Sequence, residues 1–223
     1  MTEPATVSEA MKTATIVCIS DTHELHREVD VPYGDILIHA GDFTMFSKSA
    51  AAILDFNDWL GELPHRHKIV IPGNHEFFLE ADPSKRRLIS NGILLINEGV
   101  EIMGLKIWGS PVTPQYGGAF GRNSPRERVS LYSTIPDETN ILVTHGPPYG
   151  LLDSAPASTH HAGCPELLEA TDRIKPRLHV FGHVHGAYGM TSMGETVFVN
   201  AALLGLEGGL DQIPISLRIP RTT

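Results

Sequence analysis

Cysteine is scarce in this chain. Cys18 and Cys164 are the only two in 223 residues, and they stand far apart. Neither a disulfide framework nor a site of closely spaced thiolates is encoded. Cys18 lies in an apolar run and reads as a small buried hydrophobe. Positive charge is also in short supply: 17 lysines and arginines face 26 acids, a formal net charge of −9, without a long basic cluster. Gripping long DNA or RNA through the general surface needs a positive face, so nucleic acid is not expected as a stable partner. A small anion is not excluded, because bound cations can invert a local field. No uninterrupted apolar run is long enough to cross a bilayer, and Met1 to Met11 is too polar for a secretory leader. These absences point to a soluble protein of a reducing, cytoplasmic compartment with no membrane partner.

The length fits one domain with a sizeable core, over 13–223, behind a frayed, disordered tail at 1–12. Apolar, β-branched runs predict strands at 13–19, 35–40, 68–71, 93–97, 100–108, 140–143, 178–181, 196–200 and 213–219, with turns at Glu98-Gly99 and Met103-Gly104. Helices are expected from about Ser47 to Leu60, capped by Ser47 or Ser49, and over 83–90 and 165–174. On the first of these, Ile53, Phe56 and Leu60 share a face, with Trp59 beside them, so that face should pack on a sheet. Residues 110–128, rich in proline and glycine, read as a long loop suited to contacting a substrate. Alternating strands and helices indicate an α/β protein, and the strand-rich middle and end indicate a second sheet.

Several strands end in metal-competent residues beside glycine or a turn. Asp21 and His23 follow the first strand, Asp42 the second, Asn74 the third and His145 a later one. The stretch Gly-His-Val-His-Gly puts His183 and His185 directly after 178–181. Loops at the carboxyl ends of α/β strands are held by the scaffold and left open to ligands. The set has two carboxylates, four imidazoles, one carboxamide and no thiolate. Such nitrogen and oxygen donors suit manganese, zinc or iron, and a magnesium-only site would be poorer in histidine. Seven side chains are too many for one four-coordinate ion. They are enough for two divalent ions sharing a carboxylate bridge, with positions left for water and an anionic substrate such as a phosphate ester.

The ordered motifs are DTH at 21–23, GD at 41–42, GNHE at 73–76, THGPP at 144–148 and GHVHG at 182–186. With them the chain resembles the calcineurin-like metallophosphoesterases. Through FGHVHGAYG and IWGSPVTPQYGGAFGR it resembles a smaller branch, the metallophosphoesterase-domain proteins. The resemblance implies a four-layer α/β/β/α sandwich of two mixed β-sheets flanked by helices, with the dimetal site at one edge. It implies that Asp21, His23 and His185 hold one ion, that Asn74, His145 and His183 hold the other, and that Asp42 bridges. Mn2+ is favoured, with Fe, Zn, Co or Mg possible. The implied nucleophile is a metal-activated hydroxide, with His75 reaching the phosphate or the leaving-group oxygen as a candidate general acid. Unlike the protein serine/threonine phosphatases of that superfamily, the chain continues Gly41-Asp42 with Phe43-Thr44-Met45-Phe46, without the usual acid and arginine. Both His183 and His185 are kept, which favours a competent enzyme.

The branch favours phosphodiesters, nucleotides and cyclic nucleotides among them. Asn74 and His75 would meet the phosphate. Tyr116, Phe120 or Tyr149 could stack on a base, and Arg122 or Arg126 could bind phosphate. The alternatives are a phosphomonoesterase or nuclease of the same fold, or a nucleotide-binding protein with residual hydrolysis. The second sheet could also bury a homo-oligomeric interface.

Overall fold

The computed structural model describes residues 13–46, 49–114, 118–156 and 158–221. The expected tail at 1–12, the helix start at Ser47 and the stacking residue Tyr116 lie outside the described residues. Two mixed sheets are present. The first has the order β11-β1-β2-β3-β4. It comprises β1 (Thr13–Ile19), β2 (Ile36–His39), β3 (His67–Val70), β4 (Ile93–Leu94) and β11 (Ile215–Pro220). The second has the order β5-β6-β7-β8-β10-β9. Its strands are β5 (Glu98–Ile102), β6 (Leu105–Ser110), β7 (Ile141–Thr144), β8 (Leu178–Phe181), β9 (Gly189–Met193) and β10 (Thr196–Asn200). Inner strands of each sheet pair parallel, while β11, β5 and β9 run antiparallel to their neighbours.

The layers follow from the two-residue period of strands. On β1, Ile16 and Cys18 point into a core shared with Ile36 and Ile38 of the first sheet and Ile107, Ile141 and Val180 of the second. Val17 and Ile19 point the other way, onto Ile53, Phe56, Trp59 and Leu60 of α1 (Ala50–Glu62). On the far side, Leu142 of β7 packs on Leu167, Ala170 and Ile174 of α4 (Pro165–Ile174), beside Tyr132 of α3 (Pro125–Tyr132). The result is helix on sheet on sheet on helix, the four-layer sandwich.

Three local expectations are corrected. The stretch read as a loop over 110–128 contains the start of α3. Ser124 caps that helix by accepting from the Glu127 amide, and Pro125 occupies the first turn, where its missing N–H costs nothing. The helix expected over 83–90 is α2 (Phe77–Ala81) followed by a 3-10 turn, Pro83–Leu88. The strand β9 was not foreseen: its Gly-Met-Thr-Ser-Met is polar and mostly exposed at a sheet edge.

Candidate metal centre

The two sheets meet at their carboxyl edge, where a parallel bridge joins Ser20 to Ala202. Each ligand-bearing loop is then tied to its neighbour through the backbone. The Asp21 amide donates to Gly41 O, and the His23 amide to Asp42 O. Gly182 N donates to His145 O. Gly182 is required at this crossing: a Cβ there would lie 2.0 Å from Asp21 Oδ2 and 2.2 Å from Ser20 Oγ. Asp21, His23, Asp42 and His183 all take positive φ, between 41° and 68°. That conformation is unfavourable for residues with a Cβ and is characteristic of functional sites.

The side chains converge in two groups. In the first, His185 Nε2 is 3.3 Å from Asp21 Oδ1, and His23 Nε2 is 4.0 Å from the same oxygen. In the second, Asn74 Oδ1 lies 2.8 Å from His145 Nε2 and 2.9 Å from His183 Nδ1. Asp42 stands between them, with Oδ2 3.9 Å from His23 Nε2 and 3.1 Å from His145 Nε2. Donors each about 2.1 Å from one ion sit roughly 3–4 Å apart, so these separations fit metal coordination. The protonation pattern fits too. His145 Nδ1 donates to Ala40 O and His23 Nδ1 to Thr44 O, which turns each Nε2 inward as a potential ligand. His23 Nε2 is buried and has no hydrogen-bond partner among the described residues. An orphaned buried imidazole nitrogen is costly, and a cation between Asp21 and Asp42 would relieve it.

Electrostatics tell the same story. Burial disfavours charge on Asp21, but the hydrogen bond with His185 and the nearby imidazoles hold its carboxyl well below the usual range. Asp42 is likewise lowered, against burial, chiefly by His145. Burial opposes protonation of His145, yet Asp42 and Asp21 push its pKa up to about 10. His185 is raised, against burial, by its bond to Asp21. In the metal-free protein the proton on His145 supplies positive charge that the carboxylates demand, and metal would displace it. His183 is different: burial, then His145, bring it down to about 4.

His75 adjoins this set. Its amide donates to Asp42 Oδ1, and its Nε2 is 3.9 Å from Asp42 Oδ2. Burial lowers its pKa. The expected substrate contacts separate. Residues 118–120 do reach the centre, since Ala119 N donates to Asn74 O. Phe120, however, is buried in a core cluster that also holds Phe56 and Leu79, and its amide donates to Glu80, with no free face for a base. Arg122 pairs with Glu80 at 3.5 Å, and Arg126 is exposed on α3. Tyr149 is exposed on the loop after His145, with its ring 5.1 Å from His161.

Sequence reasoning quoted Glu76 within a motif but gave it no role. Its buried carboxylate accepts from the amides of Gly73, Asp42 and Thr44 and from the Thr44 hydroxyl. It therefore stitches the Asp42 and Asn74 loops together, and burial next to Asp42 raises its pKa to about 7. His39 and His179 were missed as well. Both are fully buried on strands, 3.0 Å from Thr22 Oγ1 and 2.8 Å from Thr144 Oγ1 respectively. Each thus holds a threonine next to a ligand, and each breaks an otherwise apolar strand, which was the available signal.

Three overlapping groups that could hold an ion, Asp21-His23-His185, His23-Asp42-His75 and Asp42-His145-His183, lie at the edge of a two-sheet sandwich and define a metal-dependent phosphoesterase fold with a dinuclear divalent-metal architecture. Residues 14–187 match the calcineurin-like phosphoesterase family, and the chain belongs to it. It is 39% identical over 231 residues to human metallophosphoesterase domain-containing protein 1, covering 92% of this chain and 70% of that protein. A UPF0046 protein of Caenorhabditis elegans is 37% identical, over 93% of this chain and 76% of its own length. Among solved structures, TT1561 of Thermus thermophilus shares the fold, with a TM-score of 0.56 at 13% identity, over 84% of this chain and 88% of that one. Among the described residues no helix is long and apolar enough to cross a membrane.

Proposed function

We propose that the chain hydrolyses phosphodiesters, nucleotide or cyclic-nucleotide esters among them, using two divalent ions with Mn2+ favoured. The observation that carries this reading is the convergence of two ligand groups on Asp42. In it, Asp21, His23 and His185 would hold one ion, Asn74, His145 and His183 would hold the other, and Asp42 would serve both. When bound, the ions supply Lewis acidity that polarises a phosphoryl oxygen and makes water a nucleophile near neutral pH. Two dications against two carboxylates leave a surplus of about two positive charges. The partners that ion-pair with Asp21 and Asp42 among the described residues are all histidines. The surplus calls for an anion, and a phosphate ester supplies it.

The chain's own groups have distinct tasks. Asp42 fixes the spacing of the two ligand groups. Glu76 and the backbone ties hold the loops in their strained conformations. His75 donates a hydrogen bond to the leaving-group oxygen, and an anionic phosphoryl group beside it favours the proton that a general acid must give. Tyr149 and Arg122 remain rim contacts in this reading, and Phe120 carries no part of it. Two free, buried cysteines support a cytoplasmic location.

Turnover by manganese-loaded protein on 2′,3′-cyclic AMP, 3′,5′-cyclic AMP, a bis-aryl phosphate and the matching monoester tests the proposal, with His183→Ala as control. Diester turnover that the variant loses is expected. Monoester preference would replace the diester claim, and no turnover with two metals bound would favour a nucleotide-binding role. His75→Ala should cut turnover while leaving metal content intact; heavy loss of metal would remove His75 from the acid role.

A further inference from the structure

Next to the metal centre stands an exposed aromatic ring that the proposed chemistry does not use. Phe46 is 53% exposed. One face lies stacked on His75, with centroids 3.9 Å apart at 27°. His75 in turn meets His23 edge-on at 4.5 Å. Phe77 is a further ring 6.4 Å from Phe46. A line of rings therefore runs from the ligand His23 through His75 to solvent. The backbone of Phe46 is also unusual: its φ is +52°, a left-handed conformation that a bulky residue adopts only when its surroundings enforce it. Hydrophobic burial does not account for the placement, since the residue keeps about half of its surface in water.

We infer that Phe46 is a specificity residue whose exposed face binds the aromatic group carried by the phosphate, a nucleobase or an aryl ester. This rests on the phosphoester reading of the centre and assigns its substrate preference. A phosphate held between the ligand groups lies beside His75, and a planar substituent extending outward from it meets the Phe46 face. Offset stacking on an aromatic ring tolerates any base, because each has a π-face. The site would therefore favour aromatic over aliphatic esters without selecting one base.

The test measures binding to the manganese-loaded full chain by calorimetry, with adenosine monophosphate and methyl phosphate as probes sharing one phosphate head. Phe46→Gly removes the ring and suits the positive φ, so it separates the contact from folding. Phe46→Trp restores an aromatic face. We expect Phe46→Gly to weaken adenosine monophosphate about tenfold, the size of one stacking contact, with methyl phosphate unchanged and Phe46→Trp rescuing the loss. On a bis-aryl phosphate, KM should rise while kcat holds. Equal weakening of both probes, or a fall in kcat alone, would mean that Phe46 only orients His75 and would overturn the inference. So would wild-type protein that binds the two probes equally. Because binding is read without turnover, a failure of diester hydrolysis would sink the proposed function and leave this result standing.

Discussion

At the scale of single residues, the centre is held by side chains that touch no substrate. Glu76 is the clearest case, with three buried amides converging on one carboxylate. Glu76→Ala would orphan them at about 1–3 kcal/mol each. Thermal unfolding should show a loss of at least about 3 kcal/mol, with the Asp42 loop loosened and metal affinity reduced. Glu76→Gln keeps one carbonyl oxygen as acceptor and should lose less. Gly182 makes a second prediction. Its missing side chain leaves space that Asp21 fills, so Gly182→Ala must displace a ligand carboxylate. Metal affinity or activity should fall on the order of 10–100-fold, the range for disturbed ligand support, in a protein whose circular dichroism is unchanged. Retained metal binding in this variant would contradict the placement of Asp21.

At the scale of elements, β2 and β8 each carry a histidine where a central strand would normally be apolar. Burial depresses both pKa values to about 3. The sign of the effect is set by the unfolded chain, which takes up a proton as pH falls through about 6.5. The folded protein refuses that proton until about pH 3, so stability drops as pH falls below 6.5. For His179 alone the loss between pH 7 and pH 5 is about 2 kcal/mol. Urea unfolding of His179→Asn should be correspondingly less pH-dependent than that of the wild type, whatever its stability at pH 7. Equal slopes would show that His179 is not a buried neutral base.

Elements also show what was readable beforehand. The period of the apolar residues placed β1, β7, β8, β10 and α4 within a residue or so, because those segments are buried and unambiguous. The seven proposed ligands were legible because each follows a buried strand, Asp42 and Asn74 after β2 and β3 and the others after β1, β7 and β8. The helix α3 was hidden by two prolines, Pro114 and Pro125, and by weak amphipathicity in Pro-Arg-Glu-Arg-Val-Ser-Leu-Tyr. Its capping signature, Ser124 with Glu127 three residues on, was present and outweighed. Phe120 and Phe46 were not separable by residue type. Only the packing of chain segments distant in sequence buries one and exposes the other.

At the scale of the whole molecule, the metal centre joins the two sheets and should stabilise the entire fold. Ions at 100 times their Kd contribute about 2.7 kcal/mol per site, so chelation should lower the melting temperature by several degrees for a chain of this size. Binding should also be proton-linked. The raised pKa values of His145 and His185 in the metal-free protein mean that protons leave as metal enters. Affinity should therefore increase from pH 6 to pH 8, with proton uptake by the buffer measurable in calorimetry. The central claim is that two ions share Asp42, and an anomalous difference map of manganese-loaded crystals tests it most directly. Two peaks about 3.5–4 Å apart are expected, with Asp42 between them and His75 outside both coordination spheres. A single peak, or two peaks without Asp42 in common, would contradict it.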